Sequence, residues 1–306
     1  MYEPLSITEL EAISSGGTLA SGIASGPFAN LGARIEHKSG YDRLRFVLEP
    51  GAAVVTNQET MSYMDGGLTT GAGMPSGLLG GLLRGLTGSS VLQNTVTNST
   101  QRKLRLVLSP LLQGAIVQVN IKAGETWRFA DRSFLACTPN IKVSGNINIF
   151  NNFRLIFAGQ GLTYTTVTAD KGSDGIVWIT AHGSCEMHEL PMGQGATPLF
   201  INHGCFLGML DKDSGIDYWK DYVTVGTANS LFSAIFTQLG FLMKIQDVKV
   251  PNRQTKCIVL TQTLNPKNLE KFVQRIAERV AESVASRSSL VGGTRKKGKG
   301  RRPILL

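Results

Sequence analysis

Gly51, Gly124 and Gly195 lie 73 and 71 residues apart, and each belongs to a strand-closing turn: Leu48-Glu-Pro-Gly, Ile121-Lys-Ala-Gly and Leu190-Pro-Met-Gly-Gln-Gly. Nine residues after each glycine come Thr60, Ser133 and Gly204, followed by the apolar segments Met61-Ser-Tyr-Met, Phe134-Leu-Ala-Cys and Cys205-Phe-Leu-Gly. A unit that recurs at one period over most of a chain restricts the fold to a repeat architecture. Strand–turn–strand units can also recur by chance, but the shared nine-residue offset favours duplication and a pseudo-threefold arrangement. Between Ile35 and Thr263 the chain consists of short β-branched or alternating runs, such as Arg43-Leu-Arg-Phe-Val-Leu, Ile116-Val-Gln-Val-Asn-Ile and Ile176-Val-Trp-Ile-Thr, punctuated by Gly, Pro, Asn and Asp. With 35 glycines in 306 residues and only 17% charged residues, a turn-rich strand protein is favoured over a helical one. The expected fold is all-β, with three antiparallel units near 35–108, 109–182 and 183–264.

The flanks differ. Residues 1–34 hold a candidate short helix around Ile7 to Ile13 and then Ser/Gly-rich sequence, which predicts a flexible N-terminal arm. The first eleven residues carry three acidic side chains and no Arg, unlike a presequence, and no apolar signal core. The apolar stretch near Met74 to Leu83 falls short of the roughly 20 residues a spanning helix needs, so no transmembrane segment is expected. Cys137, Cys185, Cys205 and Cys257 are scattered, with no CxxC pair, and read as reduced thiols of an intracellular protein; with no presequence visible, a cytoplasmic or virion setting is expected rather than the mitochondrial matrix. Asn265-Pro266 is a cap followed by a first-turn proline, and Leu269, Phe272, Val273, Ile276, Val280 and Val284 recur at helical spacing. This predicts an amphipathic helix over 265–287 whose apolar stripe either packs on its own β domain or docks on a neighbouring subunit. Residues 288–306 form a basic flexible tail.

The tail is the clearest interaction element. Arg295, Lys296, Lys297, Lys299, Arg301 and Arg302 supply six cations, and without them the net charge falls from +9 to +3. Dense positive charge on a flexible chain attracts phosphates by counterion release, on nucleic acid or on anionic lipid; lacking aromatics, such binding would be salt-sensitive and sequence-indifferent. The alternative is a solvated tail with no partner. Gly66 to Gly88 holds nine glycines but neither GxxxxGK[ST] nor a helix-opening GxGxxG, so a mobile or tightly turned hairpin is expected rather than a phosphate loop. Gly77, Gly81 and Gly85 beside leucines either pack locally or contact a membrane or partner. His182, Cys185, His188, His203 and Cys205 are zinc-binding residue types. In an extended strand, however, Cys185 faces away from His182 and His188, which then lie about 20 Å apart. Convergence would require a turn at Gly183-Ser184; otherwise these are core cysteines and surface histidines. No GxSxG elbow, HExxH helix or close acid pair supplies a nucleophile with its base, and no metal or cofactor is expected.

Taken in order, Leu44-Arg-Phe-Val-Leu-Glu-Pro-Gly, Met61-Ser-Tyr-Met-Asp, Gly80-Gly-Leu-Leu-Arg-Gly-Leu-Thr-Gly-Ser-Ser, Ala123-Gly-Glu-Thr with Phe134-Leu-Ala, Gly159-Gln-Gly-Leu and Ile258-Val-Leu-Thr-Gln-Thr resemble the altered-inheritance-of-mitochondria family of mitochondrial biogenesis proteins and its bacterial homologues. The resemblance spans about Ile35 to Phe272. It implies a fold similar to the tryptophan RNA-binding attenuation protein superfamily, a double-stranded β-helix arrangement, in proteins that act as oligomerising scaffolds and, in mitochondria, in inner-membrane organisation. The expectation is a non-catalytic structural protein that self-associates and contacts other structural proteins; two flexible termini around a β core also suit a virion or shell component. The rival expectation is a nucleic-acid-binding module acting through the tail.

Overall fold

In the computed structural model the described residues are 28, 30–38, 41–73, 93–111, 113–130, 132–147, 163–192, 197–213, 215–219, 223–226, 242–246, 255–264 and 272–281. The chain divides after Leu264 into two units. The first is built of β1 (Leu31–Lys38), β2 (Tyr41–Leu48), β3 (Ala53–Asn57), β4 (Met61–Met64), β5 (Leu68–Gly73), β6 (Gln93–Asn98) and β7 (Leu104–Leu108). There follow β8 (Gly114–Ile121), β9 (Thr126–Ala130), β10 (Phe134–Cys137), β11 (Ile141–Ile147), β12 (Thr163–Ala169) and β13 (Gly175–His182). The last are β14 (Cys185–Met192), β15 (Leu199–Asn202), β16 (Phe206–Asp213), β17 (Ile216–Asp217), β18 (Val223–Gly226), β19 (Leu242–Ile245) and β20 (Thr255–Gln262). The expected all-β class holds. The strands form a nearly closed, barrel-like arrangement. One sheet runs β4-β7-β2-β8-β13-β10-β3-β6-β5 with β1 on β2, a second runs β11-β12-β9-β16-β20-β14, and β15-β19-β18 form a third.

The middle strand of the first sheet is β13, whose Ile176-Val-Trp-Ile-Thr run is buried on both faces between β8 and β10. Period-two geometry sends alternate side chains to opposite sides. Val177, Ile179 and Ala181 therefore enter one apolar core with Trp127, Phe129, Phe206 and Val259. Ile176 and Trp178 enter another, with Leu44, Phe46, Leu106 and Ile116. Trp178 meets Phe46 edge-on at 5.0 Å and donates from Nε1 to the Gln118 side-chain carbonyl at 3.1 Å, satisfying its one polar atom.

The periodic glycine turns have a physical basis in two places. At 49–52 the Ala52 N–H donates to Glu49 O, and Asn98 clasps the turn by exchanging backbone bonds with Gly51 and Ala52. At 122–125 the Glu125 N–H donates to Lys122 O, and Ala169 makes the same exchange with Gly124 and Glu125. Gly51 and Gly124 have φ of +78° and +82°, the left-handed region that favours glycine. The nine-residue offset also has a role: the Thr60 hydroxyl donates to Asn57 O and the Ser133 hydroxyl to Ala130 O, each capping the corner into the next strand. In the third instance Gly204 has no hydroxyl; its N–H donates to the Asn202 side chain, as that of Glu59 does to Asn57. The turn around Gly195 lies outside the described residues.

One boundary differs from expectation. The first strand starts at Leu31 rather than near Ile35, because Leu31 and Ala33 are core residues although Gly32 and Ala33 read as linker. In the second unit the described helix, α1, covers 272–281, within the expected 265–287. The candidate helix at Ile7 to Ile13, the Gly77/Gly81/Gly85 segment and the basic tail lie outside the described residues.

Candidate functional site

Met61-Ser-Tyr-Met, Phe134-Leu-Ala-Cys and Cys205-Phe-Leu-Gly occupy matching places in the sequence pattern, but their environments differ. Every residue of β10 is buried, as are Phe206 to Asp211 of β16. All four residues of β4 are exposed, Met61 by 47% and Tyr63 by 43%. β4 is also a terminal strand of its sheet, bonded to β7 on one side. A terminal strand presents a row of backbone donors and acceptors to any further strand, and charges usually guard it. β4 carries none.

Tyr41 and Leu111, also exposed, lie nearby in the ladder, each three residues beyond the Leu44–Leu108 pair that β2 and β7 form. At the far end of β4, Asp65 accepts from the backbone N–H of Arg105 at 2.9 Å and from its guanidinium at 3.1 Å twice. This bidentate pairing holds the Asp65 carboxyl below the usual carboxylate range.

On α1, Phe272, Val273, Ile276 and Val280 are all exposed, by 47% to 59%. Leu269 and Val284, expected on the same stripe, lie outside the described residues, as do Arg295, Lys296, Lys297, Lys299, Arg301 and Arg302. Gln274 donates to Glu278 one turn on at 3.0 Å, an i,i+4 contact typical of a solvated helix face.

The His/Cys residues are divided between the first two sheets: His182 ends β13 of the first, Cys185 and His188 lie on β14 of the second, and Cys205 immediately precedes β16. Gly183, at φ +79°, bridges Gly114, and the Ser184 carbonyl accepts from Thr263 N–H; these two residues separate His182 at the end of β13 from Cys185 at the start of β14. The His188 ring nitrogen Nε2 is hydrogen-bonded to the Thr261 hydroxyl at 3.0 Å. Among the described residues no three His, Cys, Asp or Glu side chains come together as metal ligands. All four cysteines are free, and burial pushes every thiol up, Cys185 and Cys257 to about 12, which keeps them protonated and poor nucleophiles at neutral pH.

One polar cluster was not visible in the sequence. Arg128 on β9 donates to Asp211 on β16 at 3.0 Å, with the two side chains only 11% and 2% exposed. The guanidinium sits 4.4 Å above the Trp219 ring and 5.7 Å above Tyr164. The sequence segment Met-Leu-Asp-Lys-Asp reads as an ordinary strand end. Asp211 turns inward because the β9–β16 register shifts between Leu210 and Lys212, leaving it as the extra residue of a bulge.

Residues 33–246 match the family model described as mitochondrial biogenesis AIM24. The crystal structure of a Streptococcus pyogenes protein is similar to this one with a TM-score of 0.57 at 18% identity, covering 80% of this chain and 99% of that chain; likeness at that identity is one of fold. No curated protein matches the chain. Among the described residues, no helix is long and apolar enough to cross a membrane.

Proposed function

We propose that this chain, which belongs to the mitochondrial biogenesis AIM24 family, is a non-catalytic scaffolding protein that assembles with copies of itself through its β domain. The observation that carries this reading is the β4 edge, which no other described strand covers. The matching segments β10 and β16 are buried within the chain, whereas β4 leaves Met61, Tyr63 and Met64 in solvent on an uncharged terminal strand. Antiparallel pairing of β4 with its copy would extend the sheet and cover these side chains, as isologous edge-to-edge contacts do. The exposed stripe of α1 supports a second contact with a neighbouring subunit. A threefold internal duplication, and with it a likeness to the tryptophan RNA-binding attenuation protein superfamily, is part of this reading; the turn clasps and hydroxyl-capped corners shared by the first two units support a duplication of those two. Four free thiols support an intracellular setting, virion or shell included.

Light scattering of the full chain and of a chain ending at Ser289 tests the reading. Both are expected to give one defined oligomer, and Met61→Lys/Tyr63→Lys is expected to drop the mass to the 32.9 kDa monomer with the strand content intact. Two monomeric wild-type forms would remove self-assembly as the function.

The second reading, a nucleic-acid-binding module, is supported by the six cations between Arg295 and Arg302. On that reading, deleting 292–306 abolishes most RNA or DNA affinity, and raising salt from 50 to 200 mM weakens the intact chain by at least about 100-fold, as several phosphate contacts require. On the scaffold reading, the deletion leaves assembly unchanged.

A further inference from the structure

We infer that the outward face of the β1–β2 hairpin is a binding site for a phosphate group, held between Arg34 and Arg45 with Arg43 and Arg105 beside them. The hairpin register places Arg34 directly opposite Arg45, and Glu36 directly opposite Arg43. Directly opposed side chains of an antiparallel pair share a face and lie in contact range, so two like charges there repel. Glu36 relieves only one of them. Its carboxylate lies 3.1 Å from Arg45 Nε and accepts from Arg45 Nη2 at 3.4 Å, with Arg43 Nη2 at 3.9 Å. The Arg45 Nε contact is an ion pair without hydrogen-bond alignment, which leaves that donor unsatisfied.

Among the described residues Arg34 has no side-chain partner, so its guanidinium faces Arg45 uncompensated. One strand further across, Val47 pairs with Arg105, whose own charge is met by Asp65. Four guanidinium groups thus stand with two carboxylates on one sheet face. Each guanidinium is itself a planar fork whose donors phosphate oxygens accept bidentately, and here an arginine with no described partner stands opposite one that is only partly paired. A bound phosphate would supply the negative charge that the Arg34–Arg45 pair lacks.

Arg34→Glu separates this role from a structural one, because it removes the site while replacing a repulsive cross-strand pair with an attractive one. In the full chain, where the tail is common to both proteins, two probes are compared: inorganic phosphate by titration calorimetry, and phosphatidylcholine vesicles with and without phosphatidylglycerol by flotation. Arg34→Glu is expected to weaken binding at least tenfold while the melting temperature stays level or rises. Binding of both probes identifies free phosphate as sufficient; binding of the anionic vesicles alone identifies a lipid headgroup as the source. Wild-type protein that binds neither probe, or a variant that binds as tightly as wild type, overturns the inference. It does not depend on self-assembly: Met61→Lys/Tyr63→Lys leaves all four arginines in place.

Discussion

Gly114→Ala is expected to destabilise the β unit by about 3 kcal/mol or more, lowering its melting temperature by about 6–12 °C. Gly114 opens β8, pairs with His182 of β13 and bridges both Tyr41 and Gly183. A Cβ there would run into the backbone carbonyl oxygen of Ala181, 2.9 Å from its carbon and 3.2 Å from Gly183 N. Every one of these atoms is backbone, so no rotamer change relieves the overlap. The strands would have to separate, straining the Ala115 N–H bond to Gly183 O at 3.0 Å and the bond from the Ile116 N–H to the buried Asp42 carboxylate at 2.9 Å. That carboxylate is what couples β2 to β8, since the two share a single parallel bridge. Gly145→Ala on β11 is the control: nothing lies within 4 Å of its Cβ position, and the expected change is within about 0.5 kcal/mol. Thermal unfolding followed by tryptophan fluorescence reads both. A loss below about 1 kcal/mol for Gly114→Ala would mean that β8 and β13 can part without breaking the hydrogen bonds between them.

The strand content was legible because burial on both faces writes itself as unbroken apolar sequence: Ile176-Val-Trp-Ile-Thr could be read as a central strand before its two cores were known. The turn glycines and the hydroxyls nine residues later were legible too, since each is fixed by local backbone demands. What escaped was whatever depends on partners distant in sequence. Met61-Ser-Tyr-Met looks as apolar as Phe134-Leu-Ala-Cys; only its place at the sheet edge leaves it in solvent. Arg34 and Arg45 alternate with apolar residues as any half-buried strand does, and their opposition follows only from the hairpin register. For α1, periodicity placed four apolar side chains on one stripe but could not say whether anything covers them.

Asp211 was the least legible residue, and its pair with Arg128 carries the other large expected effect. Asp211→Ala should cost about 3–5 kcal/mol, because it strands a buried guanidinium against the Trp219 and Tyr164 rings. Replacing both members, Arg128→Met with Asp211→Leu, should recover most of that loss and come within about 1 kcal/mol of wild type, since a buried ion pair contributes little over packed apolar side chains. The geometry favours that outcome here: Asp211 Oδ1 and Arg128 Nε are both buried without a hydrogen-bond partner, so desolvation is only partly offset. Burial accordingly raises the Asp211 carboxyl above its ordinary range despite the pull of Arg128. A carboxyl raised on folding is held protonated more readily by the native state than by the unfolded chain. Its contribution to stability is therefore fully present below the ordinary carboxylate pKa and is lost as pH rises through the raised one. Asp211→Asn should remove that decline, which urea unfolding across the acid range will show as a stability difference between variant and wild type that changes over this interval. If the double replacement is as damaging as Asp211→Ala, the ion pair is a stabilising element in its own right and the bulge in β16 is maintained by it.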